Sequence, residues 1–257
     1  MFKLFFFFLI LFISTSLFAV VQIAPNEVGL RPGVAGTLSA SNNTQRGNTD
    51  KDEFDLSAFI SYDNNRSYVT WLDFSYAYGQ VSGTENENKA FAHYRFLHTL
   101  YKPSLNWELF IQNEGDDFRN IQRRLLGGGG LRWRFYEGDD FGRIYVGLGA
   151  YYEYLNYTTQ VDPSEHNTRV NSYLSYTKKF GKDARVSLGV YYQPKINDWS
   201  DYYLNEAASL FIYIYGQLFV NIELSLAYDS RPGIGIYKSD FQQITSIGWT
   251  FGAKANR

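Results

Sequence analysis

The side chains able to do chemistry fall into two groups, three histidines and a set of charged residues recurring at every second position. His93, His98 and His166 would act as general bases or metal ligands if a nucleophile or further ligands stood beside them. His93 and His98 are five residues apart, which places them on opposite faces of an extended segment. No serine in a recognisable nucleophile motif accompanies them. Three scattered histidines in a chain with no cysteine form no metal-ligand set, so interior or interfacial rings are the plainer reading. Gly127 to Gly130 is likewise no phosphate cradle, since it lies within a strand-like run rather than before a helix. A thinned or bent wall accounts for it better.

The charged group is larger. Asp55, Asp73, Arg95, Glu108, Arg124, Arg132, Arg134, Arg143, Glu153, Glu223 and Asp229 all occupy the parity opposite to the apolar residues of their segments. Burying such charges unpaired would cost several kcal/mol each. They must pair with one another or face water.

The elements that hold them are long alternating strands. Leu218, Val220, Ile222, Leu224, Leu226 and Tyr228 alternate with Phe219, Asn221, Glu223, Ser225, Ala227 and Asp229. Phe241, Ile247, Trp249 and Phe251 share one parity with Gln243 and Thr245 on the returning segment. Similar alternation recurs through the chain and predicts twelve strands. Strands of about 9–11 tilted residues cross a bilayer, with lipid outside and polar groups inside. The fold class is therefore all-β, a single transmembrane antiparallel up-and-down β-barrel spanning residues 20–257.

Composition agrees. Aromatic residues make up 19% of the 257 residues, far from a disordered chain, while a mean hydropathy of −0.31 is too polar for a bundle of membrane helices. The formal charge of −2 leaves no basic surplus to attract nucleic acid. Residues 1–19 carry Lys3, the apolar run 4–13 and a small residue at Ala19, the layout of a cleaved secretory signal peptide. Residues 20–31 form a short periplasmic lead-in.

An even strand number puts both chain ends on the periplasmic side. Tight turns are expected after even-numbered strands, and longer polar loops at 42–51, 80–89, 113–120, 158–168 and 194–201. Under this orientation Trp107, Trp133 and Trp249 fall at periplasmic strand ends, and Tyr78, Tyr154, Tyr192 and Tyr228 at extracellular ends. These make two aromatic girdles at headgroup level.

Gly47-Asn48-Thr49-Asp50, the glycine-rich segment 125–135, and the ending Tyr228-Asp229-Ser230-Arg231-Pro232 through Lys238, Asp240 and Ile247-Gly248-Trp249-Thr250-Phe251 carry a resemblance. With them the chain resembles the domain of unknown function 481 family, described as salt-induced outer-membrane proteins. The resemblance covers nearly all of the chain after residue 19. It implies a Gram-negative outer-membrane barrel of uncharacterised activity and brings no catalytic residues. Such barrels commonly finish on an aromatic residue, whereas Gly252 to Arg257 follow Phe251 here.

Twelve strands enclose a space between filled eight-stranded barrels and open sixteen-stranded porins. Two readings of the lumen stand: a narrow water-filled pore, the leading one, and a barrel closed by ion pairs with a structural or stress-related role. If the pore is open, Arg124, Arg132 and Arg134 would favour anionic solutes. A third reading, an outer-membrane lipid hydrolase, requires a histidine and a serine within hydrogen-bond reach near the outer leaflet. The expected partners are outer-membrane lipid, lipopolysaccharide and the barrel assembly machinery. No nucleic acid, cofactor, metal or enzymatic role is expected.

Overall fold

The computed structural model describes residues 26–45, 51–159 and 161–252. The expected signal peptide, the run Gly47 to Asp50 and residues 253–257 lie outside them. Twelve strands follow in order: β1 (Gly33–Gln45), β2 (Lys51–Asp63), β3 (Tyr68–Val81), β4 (Thr84–Thr99), β5 (Leu105–Asp116), β6 (Ile121–Gly138), β7 (Gly142–Tyr157), β8 (Glu165–Phe180), β9 (Ala184–Lys195), β10 (Asp198–Tyr215), β11 (Leu218–Asp229) and β12 (Ser239–Gly252). Each pairs antiparallel with its sequence neighbours, and β12 returns to β1 to close the barrel.

Alternation decides which way each residue faces. On β5, Leu109 and Ile111 are half exposed while Glu108 is 2% exposed. On β7, Leu148 is outside and Glu153 is fully buried. Leucine, isoleucine and valine therefore coat the exterior, an arrangement that water would penalise and lipid favours. The chain forms a transmembrane β-barrel.

The connections are shorter than expected at one end. The stretch 80–89 is mostly strand, with only Ser82 and Gly83 turning between β3 and β4, both at positive φ. Likewise 194–201 reduces to Ile196 and Asn197 between β9 and β10. Region 113–120 continues β5 to Asp116 and then makes a single 3-10 turn, Asp117–Arg119, capped by the Asp116 carboxylate. Strand β8 begins at Glu165, inside the stretch expected as loop. Polar alternation continued past the lipid-facing belt in each case. Hydrogen-bonded pairing needs no apolar face there.

At the opposite end, hereafter the near end, turns are tight as expected. Between β2 and β3 the Asn64 side-chain oxygen accepts from the backbone N–H groups of Arg66, Ser67 and Tyr68 at 2.9–3.0 Å, with Asn65 in the left-handed region. Asparagine suits this because its short side chain imitates a backbone turn.

Candidate functional site

The lumen has one fuller wall, which keeps a cavity of about 70 Å³ against Arg95, Glu114, Arg124, Tyr191 and Tyr203, and one more hollow wall. The fuller wall, from β4 to β10, is organised by a chain of alternating charges at the far end. Arg119 and Arg124 both reach Glu114, at 3.2 and 3.4 Å. Arg124 also reaches Glu153 at 2.6 Å, and the other oxygen of Glu153 accepts from Arg169 at 3.0 Å. Arg169 continues to Asp201 at 2.9 Å, and Lys195 joins Asp201 at 2.6 Å and Glu165 at 3.3 Å. The guanidinium of Arg169 lies 3.8 Å over the ring of Tyr203. Each buried ion thus has a counter-ion and further donors or acceptors, the condition under which such burial is tolerated.

Nearer the middle, Arg95 approaches Glu108 at 3.6 Å and packs against Trp71 and Phe110. The Tyr173 hydroxyl donates to both Glu108 oxygens, at 3.0 and 3.1 Å. This ring runs along the wall over Gly147, its cross-strand partner on β7, where an added Cβ would overlap it. The adjacent ladder pairs Gly130 with Gly149, and a Cβ on either would strike the opposing backbone. Glycines 127 to 130 therefore belong to a thinned wall, and large rings and guanidinium groups fill the space beside it.

Residues 26–31 turn into the lumen at the near end. Glu27 accepts from Arg134 at 2.8 Å and Arg143 at 3.0 Å. Arg132 donates to the Asn26 carbonyl at 3.0 Å and stacks on Tyr145. Val28 packs on the buried cluster of Phe59, Val69, Trp71 and Leu97. The segment expected to be a plain lead-in is part of the interior.

The hollow wall, β1–β3 with β10–β12, carries small polar residues inward beside the buried rings of Phe59, Phe211 and Phe219. A cavity of about 170 Å³ lies against Ser39, Ser57, Asp73, Arg185 and Glu223. A second of about 120 Å³ shares Ser39, Ser57, Ser75, Asn221 and Glu223 with it and extends to Asp55 and Ser246. Toward the near end a third, about 100 Å³, shares Arg31, Arg185 and Phe211 with the first and reaches Lys182 and Thr250. One oxygen of Asp73 and the Nε of Arg185 are buried without a hydrogen-bond partner. Water in these cavities would supply one.

Of the residues read from the sequence as facing inward, Arg95, Glu108, Arg124, Arg132, Arg134, Arg143 and Glu153 belong to the fuller wall. Asp55, Asp73 and Glu223 line the hollow wall. Asp229 sits at the far mouth, where its carboxylate accepts from the Arg231 backbone N–H at 2.8 Å. Beside it Asp198, hydrogen-bonded by the Ser200 hydroxyl and N–H and paired with Arg231, is held below the usual carboxylate range. Each of the three arginines of β6 is engaged within the protein: Arg124 by carboxylates, Arg132 by a carbonyl, Arg134 by Glu27 and Glu137.

Sequence reading missed Glu27, Glu114, Arg169, Arg185, Lys195 and Asp201. Most stand at strand ends or in stretches taken as loop. Continuing the inward parity of Tyr173 back through Asn171 would have reached Arg169 and Glu165.

Trp107, Trp133 and Trp249 face outward toward the near end. Tyr78, Tyr154, Tyr192 and Tyr228 face outward toward the far end, where Tyr202 bridges Tyr192 and Tyr228 with ring centroids 5.4 and 5.6 Å apart. His93 points inward to Gln112 at 3.2 Å, His98 lies outside against Trp107, and His166 contacts the Tyr152 hydroxyl at 2.7 Å. Among the described residues none of the three is hydrogen-bonded to a serine, and no acidic and histidine cluster suited to a metal occurs.

The fold is similar to that of solved barrels. The NanC porin in a rhombohedral crystal form superposes with a TM-score of 0.50 at 11% identity, over 85% of this chain and 99% of the porin. The KdgM porin gives 0.45 at 8% identity, over 86% and 99%. The translocator domain of autotransporter NalP from Neisseria meningitidis gives 0.45 at 10%, over 90% of each. No curated protein matches the sequence. The family described as "Protein of unknown function, DUF481" matches residues 38–251, and the chain belongs to that family.

Proposed function

We propose that the protein is a narrow channel in the outer membrane of a Gram-negative bacterium, reached by export through its amino-terminal segment, and that it passes ions or small solutes. One observation carries the reading: three cavities along the hollow wall share lining residues from Lys182 near one end to Asp55 and Ser246 beyond the middle. A barrel whose only task was to stand in the membrane would gain by filling that space. Its fuller wall keeps a smaller cavity, of about 70 Å³. Route and filling divide the lumen between them, and the serines at positions 39, 57 and 75 keep the route hydrophilic.

Purified, folded protein in a planar bilayer is expected to give discrete conductance steps. Their absence from a sample of demonstrated fold would defeat the proposal. It would favour a closed barrel, for which the continuous ion-pair chain from Arg119 to Lys195 and the segment across the near end already speak.

A further inference from the structure

The junction between first and last strands is closed over only part of its length. Strands β1 and β12 pair from Ala35 with Gly252 to Ala40 with Ile247. Both continue beyond that point on their other sides. Strand β1 stays paired with β2 as far as Gln45 with Lys51, and β12 with β11 as far as Tyr228 with Ser239. Carrying the register onward would set residues 41–44 opposite 246–243, yet no ladder joins these described residues. Spanning barrels close because backbone groups left without partners in hydrocarbon are costly. Here the groups along the seam are offered to whatever occupies it.

Two further features mark the same place. On the outside, Asn42 and Thr44 of β1 and Gln243 and Thr245 of β12 are exposed polar residues, on the parity that elsewhere carries leucine, isoleucine and valine. On the inside, the cavity of about 120 Å³ reaches the open stretch at Ser41, Ile244 and Ser246. Its charged lining is Asp55, Glu223 and Lys89. The ammonium of Lys89 is already engaged by Glu87 at 3.2 Å and reaches Gln242 at 3.5 Å, which leaves carboxylate as the dominant charge.

We propose that this seam is a lateral portal for a single-chain amphiphile with a compact cationic head. The head passes between residues 41–44 and 243–246 to the carboxylates of Asp55 and Glu223. The tail stays outside against Phe54, Leu56 and Ile247, each of which is exposed. Polar seam residues, and backbone groups that no β1–β12 ladder pairs among the described residues, then meet the head during passage, and the apolar exterior meets the chain. The portal requires the barrel to sit in a membrane but not that its lumen conduct.

The chain has no cysteine, so a Ser41→Cys/Ser246→Cys pair gives one disulfide across the open stretch. Native mass spectrometry from dodecyl maltoside micelles would follow dodecyltrimethylammonium, with dodecyl sulfate as the tail-matched control. Wild type and the reduced pair should retain the cationic probe, and the oxidised pair about tenfold less. Equal retention in both redox states, or preference for the sulfate, overturns the portal. So does a Thr245→Cys variant that accumulates as a disulfide-linked dimer, which would assign the seam to a second copy. If the cysteine pair fails to fold, amide exchange on wild type decides: 243–246 should exchange faster than 247–250, and equal protection overturns the idea. Conductance of the same samples keeps the readings apart, since a silent barrel that still retains the probe refutes the channel alone.

Discussion

Glu153 is held between Arg124 and Arg169, one carboxylate oxygen at 2.6 Å from the first and the other at 3.0 Å from the second, with no exposed surface. Both arginines have a second carboxylate, yet Arg169 is almost wholly buried and Arg124 largely so. Glu153→Leu should therefore leave excess positive charge buried and destabilise the barrel by about 3–5 kcal/mol. Urea unfolding in phospholipid vesicles would measure it. A loss below 1 kcal/mol would mean that the charge chain is solvated.

How far this centre was legible follows from strand geometry. Period-two alternation gave the faces of Glu108, Glu153 and Glu223 because residue parity is fixed within a strand. Which inward residues of neighbouring strands meet depends on register, and the β6–β7 register is shifted by irregularities at Arg134/Tyr136 and Ile121/Arg123 that parity alone does not reveal. Arg124 and Glu153 thus shared a predicted face without a predicted contact, and Asp201 was lost to a supposed loop. The inward placement of Glu27 was illegible for another reason. Residues 26–31 have no periodicity, and their position depends on the arginines that receive them.

Tyr173 reaches Glu108 only because residue 147 is glycine. Gly147→Ala would place a methyl group in the ring and should cost about 1–3 kcal/mol by overpacking. Tyr173→Ala in the same background removes the clash, so the second substitution should cost less there than in wild type. A double-mutant cycle of unfolding free energies tests this, and simple additivity would show that the ring does not rest on the glycine.

Glu27 ties residues 26–31 to Arg134 and Arg143. In Glu27→Ala those arginines keep only Glu137 as an ion-pair partner among the described residues. The segment should detach, exposing Val28 and the cluster around Trp71. Faster protease cleavage near residues 26–31 and a larger single-channel conductance are expected. Unchanged values for both would show that the segment is held by its apolar contacts alone.

Selectivity should respond to Arg185 and not to Arg132. Arg132 was the natural sequence-based choice, but it is spent on the Asn26 carbonyl and the Tyr145 ring and lines none of the three stacked cavities. Arg185 borders two of them at the point where they meet, packs on Phe211, and has no ion-pair partner among the described residues. A permeating ion on this route passes its guanidinium at short range in a confined, weakly screened space. Arg185→Glu reverses that charge on a cavity also lined by Asp73 and Glu223, so the reversal potential under a salt gradient should move toward cation preference. Arg132→Glu should chiefly lower stability, by removing the donor to Asn26. If Arg132→Glu shifts the reversal potential and Arg185→Glu does not, ions follow the fuller wall instead, and the assignment of the route to the serine-lined side is wrong.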